Sequence, residues 1–341
     1  MREEVRLTRR SFPRPLLTAS LAAFLMVAGG AGCSTPRRPA PPPNPTAGSL
    51  YADGVSAYRA GDRERAIQLL SQAVRKNPNL AMAHSVLGDI YKEQGNFDRA
   101  AAQYETLARL DPYAADNHHR LAVSYHFLNR LRDATASYLR AVKLNPRDWR
   151  SSMNLGLVYM SLDDNNSAVE YCQRAVNLSP LSAVAHANLG VVYDARGNAA
   201  EAEAAYRRSL TIDPTQAGPA MNLARNLQYR DQSAEAVTVL ERLTAVADSA
   251  AVRRRYGDAL ASAGRDADAL RQYREALRLD PRHYPAMNSM AALLITQYRK
   301  GLLLDDRKRD EAVTTWKQSL GINPDQPKVE GQIKQWTSNA G

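Results

Sequence analysis

The chain has 341 residues, 44% of them hydrophobic and 23% charged, with a formal net charge of +10 and two cysteines. Two cysteines exclude a disulfide-stapled scaffold, and length alone suggests about two domains. The basic balance invites nucleic acid as a partner, but part of it sits at the extreme N-terminus, where residues 1–32 hold five arginines against two glutamates. In the remainder Arg and Lys mostly alternate with Asp and Glu, as in Asp62-Arg63-Glu64-Arg65 and from Arg271 to Arg278. That spacing reads as a solvated helix face, so nucleic acid is not expected as a partner.

The N-terminus reads as a leader. Arg2, Arg6, Arg9, Arg10 and Arg14 precede an apolar run from Leu16 to Ala28, and small residues lead to Cys33. A basic start, a short apolar core and a small-residue end make a secretory signal over 1–32, too short for an ordinary membrane span. Ala31-Gly32-Cys33 is similar to the end of a bacterial lipoprotein signal, the alternative being plain cleavage. The resemblance implies a lipid on Cys33 and a membrane anchor. Thr8-Arg9-Arg10-Ser11-Phe12 resembles a twin-arginine export signal, or is simply part of a basic start, so the export route stays open. Residues 33–46 hold six prolines and almost nothing to bury, which predicts a stiff spacer of about 3.1 Å per residue. Ser34 is not the aspartate that commonly retains lipoproteins at the inner membrane. The expected location is therefore the bacterial envelope, at the outer membrane and facing the periplasm.

The rest of the chain is periodic. Pro78, Pro112, Pro146, Pro180 and Pro214 recur every 34 residues, and Pro281 and Pro324 continue the series after two irregular spacings. Each follows an alanine by twelve residues: Ala66, Ala100, Ala134, Ala168, Ala202, Ala269 and Ala312. Small residues stand twelve before the first six alanine places, at Gly54, Gly88, Ala122, Gly156, Gly190 and, in the repeat without a proline, Ala224. Tyr91, Tyr125, Tyr159 and Tyr193 follow four of them by three residues. A fixed period of this length means an array of one small unit. Two helices fit each unit, with a tight turn at Gly61, Gly95 and Gly197, where glycine supplies positive φ. Proline ends the second helix.

The run Val86-Leu87-Gly88-Asp89-Ile90-Tyr91 with Gly95-Asn96-Phe97, Ala100, Tyr104 and Asp111-Pro112 resembles the tetratricopeptide repeat (TPR). Eight motifs span 47–326: 47–80, 81–114, 115–148, 149–182, 183–216, 217–249, 250–283 and 284–326. The sixth has Asp248 in place of its proline, and the eighth carries about nine extra residues around Tyr298 to Arg309. Residues 327–341, with Val329, Ile333 and Trp336, read as a capping helix and tail. The resemblance implies an all-α fold, a right-handed superhelical α-solenoid whose first helices line a concave groove.

Within the first helices, repeat places 2, 5, 6, 9 and 12 are left facing that groove. Place 6 reads Asn154, Asn188 and Asn222 in three successive repeats. A carboxamide can pair with a peptide backbone whatever its side chains are; the other reading is that Asn-Leu-Gly is merely common in the family. Asp89, Lys92, His119, Arg120, His126, Asp194 and Arg225 are the neighbouring groove candidates. The implied partner is a protein or peptide segment, and the implied function is a membrane-anchored scaffold in envelope complex assembly. The alternatives are a glycan- or peptidoglycan-binding envelope protein, for which Phe127 and Tyr58 are the few aromatic platforms, and the recognition subunit of a separately encoded enzyme.

No catalytic motif, cofactor site or metal site is expected. His84, His118 and His186 share the fourth repeat place and read as packing residues. His119 and His126 are two turns apart, about 10 Å, too far to chelate one ion. Cys172 stands where other repeats place Tyr104, Tyr138 and Tyr206, and reads as a small buried hydrophobe.

Overall fold

The computed structural model describes residues 45–301 and 304–338. The expected signal peptide, the lipid attachment at Cys33 and most of the spacer lie outside the described residues. Among those residues the chain is wholly helical. Paired helices follow one another as α1 (Ala47–Arg59) and α2 (Arg63–Lys76), α3 (Ala81–Glu93) and α4 (Phe97–Leu110), then α5 (Ala115–Phe127) and α6 (Leu131–Leu144). The series continues with α7 (Trp149–Ser161) and α8 (Asn165–Leu178), α9 (Ala183–Arg196) and α10 (Ala199–Ile212), and α11 (Ala217–Tyr229) and α12 (Ser233–Val246). It ends with α13 (Ala250–Ser262) and α14 (Asp266–Leu279), α15 (Tyr284–Lys300) and α16 (Asp306–Ile322), and the single α17 (Pro327–Ser338). This is the α-solenoid that the resemblance implies. None of the described helices is long and apolar enough to cross a membrane.

Local chemistry sets each hairpin. One residue in the intra-repeat turn of each of the first seven repeats adopts positive φ: Gly61, Gly95, Gly197 and Gly264, with Asn129, Asp163 and Asp231 in the same column. Asn and Asp are the non-glycine residues that tolerate this region best, so the turn is kept in repeats that lack the glycine. The following residue caps the second helix in several repeats: Asp62, Asn96 and Asp164 accept from the backbone N–H three residues on.

The alanine column is the hinge of packing. Ala66, Ala100, Ala134, Ala168, Ala202, Ala236, Ala269 and Ala312 are all fully buried, and the proline-less sixth repeat contributes Ala236. The small residue of the first helix faces a second-helix side chain four residues after that alanine. A Cβ on Gly88, Gly190 or Gly257 would lie 2.5 Å from the ring of Tyr104, Tyr206 or Tyr273, and one on Gly156 would lie 2.5 Å from Cys172 Sγ. Cys172 is thus the small buried hydrophobe expected, and burial pushes its thiol up to about 12.

First helices also touch the next first helix, from α5 through α7, α9, α11 and α13 to α15, whereas second helices do not meet one another to that extent. The first helices therefore form one continuous layer. The extra residues of the eighth repeat are mostly helical: α15 and α16 each run 17 residues, against 13 and 14 in the seventh repeat. α17 packs on α16, with Val329 buried, Ile333 and Trp336 against the same core, and the Trp336 ring edge-on to Tyr298 at 6.0 Å.

Candidate functional site

The first-helix layer brings the proposed groove residues together in two polar clusters and a row between them. In the first cluster, spanning α3 and α5, Asp89 accepts from Tyr104 Oη at 2.8 Å, from Arg120 Nη1 at 3.0 Å and from Lys92 Nζ at 3.4 Å. Arg120 also donates to Ser85 Oγ at 3.1 Å and pairs with Asp116 at 2.6 Å. In the second, spanning α9 and α11, Asp194 accepts from Tyr206 Oη at 2.8 Å, from Asn226 Nδ2 at 2.9 Å and from Arg225 Nη2 at 3.3 Å. The acids tie each first helix to its own second helix and to the next repeat. Asp258 does the first of these jobs in the seventh repeat, accepting from Tyr273 Oη at 2.9 Å.

The row between them is the asparagine series. All three are half-buried. Asn154 hydrogen-bonds the Tyr138 hydroxyl and Asn222 the Tyr206 hydroxyl, each reaching back one repeat. Asn188 faces the place where Cys172 replaces tyrosine, and its Nδ2 lies 3.0 Å from Met153 Sδ instead. Each asparagine is thus anchored by one contact to the preceding repeat, which leaves its carboxamide further donor and acceptor capacity for an incoming backbone.

His119 and His126 do not act as a pair. His119 Nδ1 is 2.7 Å from Ser151 Oγ, and Ser151 in turn donates to Asp148 Oδ2 at 2.5 Å. These are the residue types of a hydrolytic triad in the wrong order. Serine sits between histidine and aspartate, its proton goes to the carboxylate, and Ser151 is fully buried. Burial holds the His119 imidazole below its ordinary range, so it is neutral near pH 7. His126 stands apart, beside Phe127, its pKa also lowered by burial. Phe127 is exposed and stacks on Phe97 at 4.3 Å, while the Tyr58 hydroxyl is 2.5 Å from Glu93. Among the described residues no group of three or more His, Cys, Asp or Glu is placed to hold a metal ion.

The fourth-place histidines do more than pack. The Nε2 atoms of His84, His118 and His186 lie 3.0 Å from the carbonyls of Pro78, Pro112 and Pro180. The constant six-residue step from proline to histidine was the sequence signal for this bond. Two further groove residues escaped the sequence reading. Asn226 is almost wholly buried, with an unpaired Oδ1, and Tyr229 is 82% exposed; with Asp194 and Arg225 they line a recess of about 300 Å³.

Models of the tetratricopeptide repeat match residues 51–115, 115–148, 150–215 and 221–284. The chain belongs to the tetratricopeptide repeat family. No curated protein matches it. Among solved structures, a TPR protein from Parabacteroides merdae is 17% identical, with a TM-score of 0.57 over 73% of this chain and 98% of that one. PilW, a type IV pilus biogenesis factor, is 17% identical with a TM-score of 0.52, over 58% of this chain and 92% of its own. PilF of Pseudomonas aeruginosa is 18% identical with a TM-score of 0.51, over 63% and 96%. At these identities the likeness is one of fold. The two clusters and the asparagine row thus lie on the first helices of a TPR array.

Proposed function

We propose that this TPR chain is a lipid-anchored scaffold of the bacterial envelope that holds an extended protein or peptide segment along its first-helix face. One observation carries the reading. Successive first helices touch from α5 to α15, so Asn154, Asn188 and Asn222 form one row, each anchored to the preceding repeat with carboxamide hydrogen-bonding capacity to spare. Such a row suits the N–H groups of a passing backbone, and its fixed geometry lowers the ordering cost of binding. The work is non-covalent, and the client is held rather than transformed. The anchor would be Cys33, with the proline-rich spacer carrying the array away from an outer membrane into the periplasm. PilW and PilF, TPR folds of which the first is a pilus biogenesis factor, favour a role in assembling envelope complexes.

Two experiments test this. Cys33→Ala should release the protein from membranes into the soluble fraction; a variant that still sediments with them removes the anchor. Asn154→Ala, Asn188→Ala and Asn222→Ala combined should weaken binding of a co-purifying envelope protein about 100-fold, at about 1 kcal/mol per lost hydrogen bond. Tyr138→Phe is the control, since it breaks the supporting bond to Asn154 while keeping the acceptor. Unchanged affinity in the triple variant would take the row out of the mechanism.

A further inference from the structure

Five of the seven repeat junctions satisfy the carbonyl at the end of the second helix, or its substitute, with a long side chain that donates a hydrogen bond. Three use the fourth-place histidines described above. Where Ser152 takes the fourth place, Arg174 Nη2 reaches Pro146 O at 3.0 Å. Where Asp248 replaces proline, the fourth-place Arg253 forks onto its carboxylate at 2.7 and 2.8 Å. The last junction, at Pro281, places Met287 there, a long side chain of its own. At the junction of repeats five and six the fourth place is Ala220, and a cavity of about 440 Å³ opens between α10, α11 and α12 with Pro214 in its wall. The equivalent slot one repeat earlier, with His186 in its wall, measures about 340 Å³.

The vacated slot has its own chemistry. Leu210, Leu223, Val239 and Leu243 make an apolar lining, and Arg207 and Arg242 stand at the rim. Arg207 is held by Glu203 and Glu235 at 2.8 and 2.6 Å. Arg242 is exposed and has no ion pair among the described residues. It occupies the same repeat place as Arg174, yet does not close onto Pro214 as Arg174 closes onto Pro146.

We propose that this slot receives the indole of a tryptophan followed by an acidic residue, presented by a protein partner on the second-helix side of the array. The molecule itself displays the chemistry: three other junctions seat an N–H-bearing ring on the same carbonyl. The larger volume and the cationic rim favour indole over imidazole, because indole always donates its N–H, cannot acquire a positive charge and accepts an arginine over its face. The acidic neighbour pairs with Arg242. A buried tryptophan anchor beside an arginine is the composition of an interface hot spot. This surface is separate from the first-helix row and does not depend on it.

The test is a titration of the full chain with the peptide acetyl-Gly-Trp-Glu-Gly-amide, followed by methyl NMR. The methyl signals of Ala220, Leu223, Val239 and Leu243 should shift, and acetyl-Gly-Ala-Glu-Gly-amide should leave them in place. Ala220→His, which restores the ring of the other junctions, should weaken peptide binding at least about tenfold. Ala220→Met fills the slot without a new hydrogen bond, as Met287 does at the same place in repeat eight, and should do the same. Replacing Glu by Gln in the peptide should weaken binding about threefold. No shift up to about 10 mM peptide, equal binding by the filled-slot variants, or an equal response to the alanine peptide would each overturn the proposal.

Discussion

Gly190→Ala should lower the unfolding free energy by about 2 kcal/mol, and Gly190→Val by more. The added Cβ would meet three atoms of the Tyr206 ring at 2.5 to 3.0 Å. That ring is fully buried and cannot back away freely, because its hydroxyl donates to Asp194 and receives Asn222. The array contains its own comparison. Ala122 already carries a Cβ opposite Tyr138, and there Val123 and His126 occupy the two first-helix places that supply an aspartate elsewhere. A tyrosine without its aspartate has room to adjust; one that is tethered does not. Gly321→Ala is the opposite control, since a Cβ there meets nothing within 4 Å and the residue lies in helix α16; it should gain about 0.5–1 kcal/mol. Urea unfolding followed by circular dichroism measures all three, and a Gly190→Ala protein as stable as the parent would dismiss the tethered-ring account. The same substitution should disturb the Asp194, Arg225 and Asn226 cluster, because Tyr206 shares its carboxylate.

Most of the fold was legible because its period is written in single residues whose reasons are local. Proline ends a helix, a small residue permits a close crossing, and glycine makes a left-handed turn. Asn129, Asp163 and Asp231 in that turn column were less visible, since each tolerates positive φ only as a second choice. The extra residues of repeat eight read as an insertion between helices. They lengthen both instead, because Ile295 and Tyr298 keep the buried face of α15 going, and the Tyr298 hydroxyl bonds Asp306 at the start of α16. The site was legible as a set of columns but not as a set of bonds. Asn154 and Tyr138 belong to different repeats, and period alone does not say which columns meet across a junction. The vacated slot is an absence in one column, and it has consequence only once neighbouring junctions show what the column holds.

Alkaline pH should unfold the array in a narrow range. Tyr104, Tyr206 and Tyr273 are buried and donate to aspartates, and Tyr138 is buried without one; burial first, then the nearby carboxylate for the first three, pushes their phenols well above the ordinary 10.0. Tyr125 is pushed up to about 12 by burial and by its bond to Glu105. A phenol whose folded pKa is raised favours the folded state while it stays protonated. Its contribution is complete below the unfolded value near pH 10 and is lost as pH rises toward the folded value. Between those limits each such group costs about 1.4 kcal/mol per pH unit, so four together give a slope of roughly 5 kcal/mol per unit. Helicity should therefore hold to about pH 10 and collapse within roughly the next one to two units. Tyrosinate absorbance should rise in two waves, the buried set coming second and together with helix loss. Tyr206→Phe removes one titrating group and should move the second wave to higher pH. A single wave of ionisation with helicity intact would mean that the buried hydroxyls reach water without unfolding, and the aspartate–tyrosine ties would then not be what holds the two helices of a repeat together.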